Sequence, residues 1–352
     1  MRRGKLAKKD TIGIGVIGAG IGRLHIQGYA QCPEAKVLAI CDVNEERARK
    51  VADEFRIPSV FTDCEKMLKF KGIDAVSVCT PNYLHAEMTI AAFEAGKHVI
   101  CEKPLAMSPK EGEAMVAAGK KAGKIFMAAF NNRFRGDTQL LKKFIEKGEL
   151  GDIYFAKTGW IRRKGIPGMG SWFTTKSQSG GGPLIDIGVH VLDLTLWLMG
   201  NPKAVTVTGS TYAMFGPKGE GRGGWGIAEK GGFDVEDLAA AFIRLDSGAT
   251  VTLEASWASH IKCDVIYTNL MGTKGGAELD PLRIYKDIHG APVEITPAFP
   301  NQSGHIMEIR HFVDCLVNGK EPISTGEHGL EITRILDAIY KSAKTGKEIS
   351  LK

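Results

Sequence analysis

The stretch Ile12–Gly22 reads IGIGVIGAGIG, an apolar run that leads into glycines at positions 18, 20 and 22. Glycines directly after a strand let the chain turn sharply and let its backbone approach a pyrophosphate at the N-terminus of the next helix. Asp42 ends the next apolar run, about 20 residues beyond the last glycine, where an acidic side chain accepts hydrogen bonds from ribose hydroxyls. The stretch therefore predicts a parallel α/β sheet that binds a dinucleotide.

The glycine spacing, G-x-G-x-G, is one residue shorter than the usual G-x-G-x-x-G, and alone it also fits a turn that caps a helix. The strand before it, the helix after it and the later acidic residue favour dinucleotide binding. A carboxylate at Asp42 would repel the 2′-phosphate of NADP, so the sequence favours NAD, although Arg47 nearby could soften that preference. The residues expected to contact the cofactor here are Gly18, Gly20, Ile21, Gly22 and Asp42.

Two more apolar runs end in polar residues. Thr80-Pro81-Asn82 follows Ala75–Cys79, and Glu102-Lys103-Pro104 follows His98–Cys101. Ligands bind outside the carboxyl ends of the strands in an open parallel sheet, so Thr80, Pro81, Asn82, Glu102 and Lys103 are also expected at the cofactor. Lys103 is either a solvated lysine at a strand end or a residue that orients a hydroxyl or carbonyl. Its place beside the other clusters favours the second interpretation.

The alternation of strands and helices continues to about residue 130, and extended runs joined by turns follow. We expect an N-terminal Rossmann domain, a doubly wound parallel sheet, and a C-terminal α+β domain with a largely antiparallel open sheet. The expected divisions are a basic tail over 1–10, the dinucleotide-binding domain over 11–130, and a substrate-binding and oligomerisation domain over 131–352. Helical patterns at Ile306–Val317 and Leu330–Ala343 are expected to cover a sheet face or cross the domain junction. Gly216–Gly232 is expected to be a flexible loop or, alternatively, a lid.

The expected first-half strands are Thr11–Ile17, Ala35–Cys41, Ala75–Cys79, His98–Cys101 and Ile125–Phe130, and the helices are Gly22–Cys32, Glu45–Phe55, Asn82–Gly96 and Pro109–Ala122. The later extended runs are Asp152–Arg162, Ala204–Phe215, Asp237–Leu245, Ala249–Trp257 and Val265–Met271, with a hairpin turn at Asp246-Ser247-Gly248.

Composition limits the classes of function. Of the formal net charge of +6, the first ten residues supply +4 from five cationic residues against one acidic residue, so no basic surface for nucleic acid is indicated. No apolar segment suggests a signal peptide or a membrane span. The seven cysteines form no C-x-x-C pair, so neither a disulfide framework nor a metal site is indicated, and a cytoplasmic location is expected.

A second candidate constellation lies in Gly180–His190, where three glycines and Pro183 open a helical pattern. Asp186 and His190 are four residues apart, so they share one helix face. A carboxylate beside an imidazole raises the pKa of the ring and orients it, which produces a general base. The alternative is an ordinary surface pair. The preceding glycines favour a site, because they permit close approach of a ligand or another chain.

Four stretches together resemble the glucose–fructose oxidoreductase/inositol dehydrogenase (Gfo/Idh/MocA) family: Cys79–His85, Glu102-Lys103-Pro104, Asp186-x-x-x-His190 and the closing run 308–322. The resemblance implies that Lys103, Asp186 and His190 line the place where nicotinamide meets a sugar or cyclitol hydroxyl, and that His85 belongs to the cofactor site. It also implies a cis Lys103–Pro104 bond and a homodimer or homotetramer. The family commonly has one more residue in its glycine motif, which affects the expected contacts of Gly20 and Ile21.

These expectations define a reaction, the reversible oxidation of a secondary alcohol. His190 takes the hydroxyl proton, Asp186 orients His190, and Lys103 stabilises the reacting oxygen. The sequence leaves open whether Lys103 and His190 exchange roles. Candidates for binding the polyol, each of which could instead be structural, are Asn131, Arg133, Trp160, Arg162, Arg163, Trp172 and His305.

Two other classes fit the same pattern. One is a redox-neutral NAD-dependent glycosidase, which would cleave an aryl glycoside without releasing NADH. The other is a non-enzymatic NAD-sensing regulator, which would have no need for Lys103, Asp186 and His190 together.

Overall fold

The structure is a computed structural model that describes residues 11–224 and 231–351. The expected basic tail (1–10) and residues 225–230 of the expected loop lie outside the described residues. The chain forms two compact units. The first comprises the chain up to Phe134 together with Gln302–Leu330, and the second comprises Arg135–Asn301 together with the chain from Glu331 onwards.

The first unit is built on a parallel sheet that has six strands within the described residues, in the order β3-β2-β1-β4-β5-β6. The order reverses between β1 and its two neighbours β2 and β4, which makes the carboxyl end of β1 the switch point where ligands bind in such sheets. The expected strands are confirmed to within one residue at each end. The strands are β1 (Ile12–Ile17), β2 (Ala35–Cys41), β3 (Ser59–Phe61), β4 (Ala75–Val78), β5 (His98–Glu102) and β6 (Phe126–Ala129).

Helices connect these strands, and local sequence explains where several of them begin and end. The Asn44 side chain accepts from Arg47 N at the start of α2, and Ser108 does the same for Glu111 N before Pro109 opens α5. Gly123, with φ of 63°, ends α5. The helices are α1 (Gly22–Tyr29), α2 (Glu45–Phe55), α3 (Cys64–Leu68), α4 (His85–Glu94) and α5 (Pro109–Ala122), and a 3₁₀ turn (Asn82–Leu84) precedes α4.

The second unit contains a sheet that has nine strands within the described residues, in the order β14-β13-β12-β11-β7-β10-β9-β8-β15. Its pairs are antiparallel except β7 with β10, which confirms the largely antiparallel sheet. The expected hairpin joins β9 to β10, with Gly248 at φ of 85°. The strands are β7 (Ile153–Ile161), β8 (Ala204–Tyr212), β9 (Leu238–Leu245), β10 (Thr250–Ser256), β11 (Val265–Gly272), β12 (Gly276–Leu279), β13 (Arg283–Ile288), β14 (Ala291–Ile295) and β15 (Ile349–Ser350).

Strand β8 ends earlier than expected, and a buried carboxylate takes two backbone donors shortly beyond its end. Asp237 Oδ2 accepts from Phe215 N at 2.6 Å and from Gly216 N at 3.0 Å, so these amides leave the sheet ladder. The chain then enters the glycine-rich stretch that was expected to be a loop, and a 3₁₀ turn forms at Gly216–Lys218.

The later helices are α6 (Gly136–Glu146), α7 (Lys176–Ser179), α8 (Val189–Leu198), α9 (Gly304–Asn318) and α10 (Gly326–Thr345). A π-helical turn, Leu184–Gly188, leads directly into α8. Gly188 lies so close to the sheet that a Cβ there would be 3.0 Å from the Ala255 Cβ. The stretch Lys176–Leu198 is long and apolar enough to cross a membrane, but 89% of its apolar 18-residue window is buried, as expected for a core segment.

Helix α9 completes the core of the first unit. Ile309 and Phe312 on α9 are fully buried in the same cluster as Ile14 and Ile26. A Cβ on Gly28 of α1 would lie 2.7 Å from the Ile309 Cβ, so the two helices need a glycine where they meet. Residues 302–330 therefore belong with the first unit, although they lie within the range expected for the second domain, whose C-terminal helices were expected to cover a sheet face or cross the domain junction.

We expect Ile309→Ala to destabilise the first unit by about 2–5 kcal/mol, because it removes buried methylene groups and leaves a cavity against α1. Urea unfolding followed by circular dichroism measures this. Val317→Ala on the same helix is the control, since Val317 is 46% exposed. Equal shifts for the two variants would contradict the packing role of Ile309.

Candidate active site

The glycine turn after β1 has three glycines with three different constraints. Gly18 has φ of 99°, and a Cβ there would be 2.2 Å from the Cys79 carbonyl oxygen. A Cβ on Gly22 would be 2.8 Å from Val16 Cγ1, so this glycine lets α1 pack on β1. Around Gly20 there is open space within 4 Å. The turn is therefore fixed at both ends and open in the middle, as a pyrophosphate requires.

Asp42 is buried beside this turn and holds it. Its Oδ2 accepts from Ala19 N at 2.8 Å and its Oδ1 from Asn44 N at 2.9 Å, while Arg47 donates to both oxygens at 2.6 and 3.1 Å. Burial raises the pKa of Asp42, but the bonds from Arg47 and the backbone outweigh burial and lower it. The carboxylate is thus ionised and stands at the end of β2, where ribose hydroxyls are expected. The Arg47 side chain is half exposed, so it can move aside and leave the Asp42 carboxylate to ribose hydroxyls.

The ends of β4 and β5 carry the next two predicted clusters. Asn82 is buried, and Thr80 Oγ1 is a buried hydroxyl without a hydrogen-bond partner among the described residues. An orphaned buried donor beside an open glycine turn is what a polar cofactor would satisfy. The Lys103–Pro104 bond is cis, as the family resemblance implied, and Lys103 is half-buried.

Glu102 points into the protein, where it ends a buried chain of hydrogen bonds. Its Oε1 lies 3.0 Å from His25 Nε2, His25 Nδ1 lies 3.1 Å from Ser77 Oγ, and Tyr29 lies 2.8 Å from Ser77. Glu102 Oε2 accepts from Lys103 N at 3.1 Å. Burial raises the pKa of Glu102, but His25 and the nearby Lys103 outweigh it and lower the pKa to about 2. Glu102 is therefore a fixed negative charge beneath Lys103.

His85 also points inward. Its Nδ1 lies 2.7 Å from the Pro104 carbonyl oxygen and its Nε2 lies 2.9 Å from the Thr80 carbonyl oxygen. The sequence placed Glu102 and His85 among the cofactor contacts. The structure buries both side chains, and the hydrogen-bond partners given above for them are groups of the protein itself.

Three further candidates of the first unit divide into two groups. Asn131 and His305 are both half-buried and meet at 3.3 Å between Nδ2 and Nε2. Arg133 is instead fully buried, donates to the Ile323 carbonyl at 2.6 Å and lies over Phe130. Its contacts are those of an anchor for the chain that returns after α9.

In the second unit, four sequence-predicted residues lie together at the ends of β7 and β10. The rings of Trp160 and His190 are 6.0 Å apart, and the Arg162 guanidinium lies 5.2 Å above the Trp160 ring. Trp257 Nε1 donates to Asp186 Oδ2 at 3.0 Å. Burial lowers the pKa of Arg162, and Asp186 opposes this shift, which links these two charges electrostatically. Apart from Trp257, which is fully buried, all of these residues are half-buried and thus accessible to a ligand.

Sequence reasoning missed two residues that build this cluster. Trp257 follows the strand that pairs with the end of β7, a signal that only the strand register could supply. Glu236 holds the start of the π-turn, accepting from Gly182 N at 3.0 Å, Leu184 N at 3.1 Å and Tyr340 OH at 2.9 Å. A Cβ on Gly181 would overlap Tyr340, and a Cβ on Gly182 would overlap Glu236. The glycines before Asp186 therefore permit the close approach of these two residues.

The remaining candidates, Arg163 and Trp172, lie outside these contacts. Trp172 stacks on Phe173 with ring centroids 3.9 Å apart. Arg163 donates to the Lys262 carbonyl at 3.0 Å and lines a cleft of about 380 Å³. The other residues that line this cleft are Lys164, Phe215, Gly219, Glu220, Gly221, Arg222, Ala258 and His260.

A parallel sheet with an open glycine turn and an ionised carboxylate at its switch point defines a dinucleotide-binding protein. The sequence matches the oxidoreductase family with an NAD-binding Rossmann fold over residues 12–130, and the GFO/IDH/MocA C-terminal domain over residues 138–278. D-Glucoside 3-dehydrogenase of Escherichia coli K12 is 34% identical, with 96% of this chain and 97% of that protein covered. Levoglucosan dehydrogenase of Pseudarthrobacter phenanthrenivorans is 33% identical, with 95% and 96% covered.

A solved structure of levoglucosan dehydrogenase in complex with NADH superposes with a TM-score of 0.86 at 28% identity, with 97% of this chain and 99% of that chain covered. The chain belongs to the Gfo/Idh/MocA family of oxidoreductases. It is an enzyme of the dehydrogenase type with an NAD-binding first unit, which confirms the resemblance drawn from its motifs.

We expect Asp42→Ala to weaken NADH binding about tenfold or more, because charged hydrogen bonds of the kind that a carboxylate makes with hydroxyls are lost. NADPH binding should change less, so the preference for NADH narrows. Fluorescence titration with both cofactors measures this.

Arg47→Ala is the matched control, because it leaves the carboxylate in place and should keep or sharpen the preference. Equal affinity of the unmodified protein for the two cofactors would contradict the role of Asp42.

Proposed function

We propose that this protein is an NAD-dependent dehydrogenase that moves a hydride between nicotinamide and a secondary alcohol of a sugar, glycoside or cyclitol. The observation that carries the proposal is the accessible cluster of Trp160, Arg162, Asp186 and His190 in a chain whose first unit has an NAD-binding fold. Two of the similar proteins are named for oxidising glucosides or levoglucosan.

The proposed NAD site uses the turn at Gly18–Gly22, the Asp42 carboxylate and the edge residues Thr80–Asn82. Bound NAD would supply a hydride acceptor. Backbone donors around Gly20 would face the pyrophosphate, and Asp42 would accept from the adenosine ribose once Arg47 moves aside. Glu102 and His85, which point inward, would support the edge from beneath.

The chemical step is proposed for three side chains that act on one substrate hydroxyl. His190 takes the hydroxyl proton as general base. Asp186, held by Trp257 Nε1, orients His190 and favours its charged form. Lys103 donates to the reacting oxygen and stabilises the negative charge that develops there.

Substrate recognition is proposed for the surfaces around His190. The Trp160 ring is a planar apolar face with a guanidinium above it, an arrangement that combines stacking with hydrogen-bond donors for a polyol. Asn131 and His305 offer further polar groups on the first unit. The cleft at Arg163 carries two more cations, Lys164 and Arg222, and we propose that it accepts a substituent of the substrate such as a carboxylate or phosphate.

A homodimer or homotetramer in the cytoplasm completes the proposal. Large apolar side chains stand exposed on the strands of the second sheet, as expected for a face that pairs with another subunit. They are Tyr154, Tyr212, Phe242 and Val265.

The proposed function is tested with a panel of inositols, aldoses, neutral glucosides and glucuronides, assayed with NAD and with NADP. Formation of NADH on one class of substrate supports the proposal. Cleavage of an aryl glycoside without net NADH formation would replace it with the redox-neutral glycosidase. No turnover on any substrate, with intact NAD binding, would favour a sensor.

We expect His190→Ala to lower kcat about 10²–10⁴-fold, the usual contribution of a placed general base, with NADH affinity nearly unchanged. Steady-state kinetics on the best substrate and fluorescence titration separate the two. His289→Asn, at an exposed turn of the same unit, is the control. A loss smaller than tenfold would move the base role to Lys103 or to water.

We expect Lys103→Met to keep folding and NADH binding while suppressing hydride transfer, because the variant retains the bulk of the stem without the charge. Lys103→Arg should rescue poorly, since a planar guanidinium does not fit the place of an ammonium. Lys110→Met, at an exposed lysine of the same unit, is the control. Near-normal turnover of the Met variant would make Lys103 a structural residue.

A further inference from the structure

We propose that His85 is a positioning residue that ties the ends of β4 and β5 together through both nitrogens of its ring. The hydrogen-bonded ladder between these strands ends at Val78 and Cys101. Beyond it, the Thr80 and Pro104 carbonyls point to His85, at 2.9 Å from Nε2 and 2.7 Å from Nδ1. The ring is fully buried, so no water replaces either contact.

The chemistry of the two partners makes this ring unusual. A carbonyl oxygen only accepts hydrogen bonds, and a neutral imidazole donates from one nitrogen alone. Both contacts are hydrogen bonds only when the ring carries two protons. In the neutral ring, one lone pair faces one of the carbonyl oxygens.

Two other histidines of the first unit, one buried and one half-buried, show the opposite pattern. His98 Nδ1 accepts from Ile125 N at 3.0 Å, and His311 Nε2 accepts from Ile323 N at 3.1 Å. A nitrogen that accepts a backbone N–H carries no proton, so these rings are neutral. His85 therefore has a different role from that of a histidine that only fills the core.

The charges around His85 set the pH at which the second proton binds. Burial lowers the pKa of the ring because the charged form loses its hydration, and Lys103 acts in the same direction. The Pro104 and Thr80 carbonyls and the Glu102 carboxylate oppose this shift. The pKa is lowered overall. Both carbonyl contacts of the ring are therefore hydrogen bonds on the acid side of the ordinary histidine range, and one of them is lost as the pH rises.

The two contacts of His85 hold the segments that follow β4 and β5, where residues proposed to bind the cofactor lie. Thr80 carries the orphaned hydroxyl, and Pro104 follows Lys103, whose own N–H is held by Glu102 from the other side. We therefore expect NADH to bind more tightly to the doubly protonated form. This inference goes beyond the proposed reaction and needs only the NAD-binding fold.

The first test is the pH dependence of NADH affinity, measured by fluorescence titration from about pH 5.5 to 8. For the unmodified protein we expect affinity to rise about two- to tenfold towards acid pH, the contribution of one hydrogen bond. His85→Gln, whose amide donates without titrating, should remove this pH dependence and keep most of the affinity. His85→Leu, which has no donor, should lose about tenfold or more at every pH.

His98→Gln is the matched control, a change at a buried histidine that accepts from the backbone, and it should keep the pH dependence of the unmodified protein. The same dependence in His85→Gln would overturn the proposal.

The second test detects the ring protons of His85 directly, and it does not depend on the folding of a variant. In the full-length protein labelled with ¹⁵N-histidine, the His85 ring should show two N–H groups at the acid end and one at the alkaline end. A His85 ring with a single N–H group throughout this range would overturn the proposal, whatever the outcome of the sugar panel.

Discussion

The buried pair of Glu102 and His25 is the interaction on which the edge of the first unit depends. A carboxylate out of water must be paired and hydrogen-bonded, and Glu102 obtains this from the His25 ring and from the backbone of the residue that follows it. The ring is in turn fixed by Ser77 of β4, and Ser77 by Tyr29 of α1. One chain of hydrogen bonds thus joins a helix and two strands directly beneath Lys103.

The second unit also holds carboxyl groups in place by hydrogen bonds, but there the partners are neutral groups. Asp186 is partly exposed and keeps its orientation through Trp257, a residue with no exposed surface. Glu236 is buried, and burial raises its pKa although backbone donors and Tyr340 act against that shift. These contacts fix the π-turn that carries Asp186 and starts the helix of His190. In both units, residues proposed for chemistry are held by buried polar groups behind them.

Much of this could be read from the sequence, because the signals were local. The glycine turn, Asp42 and the strands of the first sheet follow from spacing and apolar runs, and the family motifs named Lys103, Asp186 and His190. Strand β3 was missed, because its three half-buried residues show no periodicity. The π-turn, Trp257 and Glu236 were missed because they depend on partners more than 50 positions away along the chain.

Candidate residues were separated by burial, which a single sequence does not display. Arg133 and Asn131 are two residues apart, but one is an internal anchor and the other is accessible. Likewise Glu102 and His85 belong to the right motifs but face inward. A motif identifies the segment that matters, and the direction of each side chain depends on the surrounding core.

The return of residues 302–330 to the first unit has a consequence for biosynthesis. Ile309, Phe312 and other buried residues of α9 complete a core whose remaining buried members precede residue 135. That core therefore stays unfinished while strands β7 to β14 of the second sheet leave the ribosome. The core of the first unit therefore remains incomplete, with apolar surface of α1 uncovered, until about nine-tenths of synthesis is complete. The second unit also includes the residues from Glu331 onwards, so both cores depend on segments that are synthesised near the end of the chain.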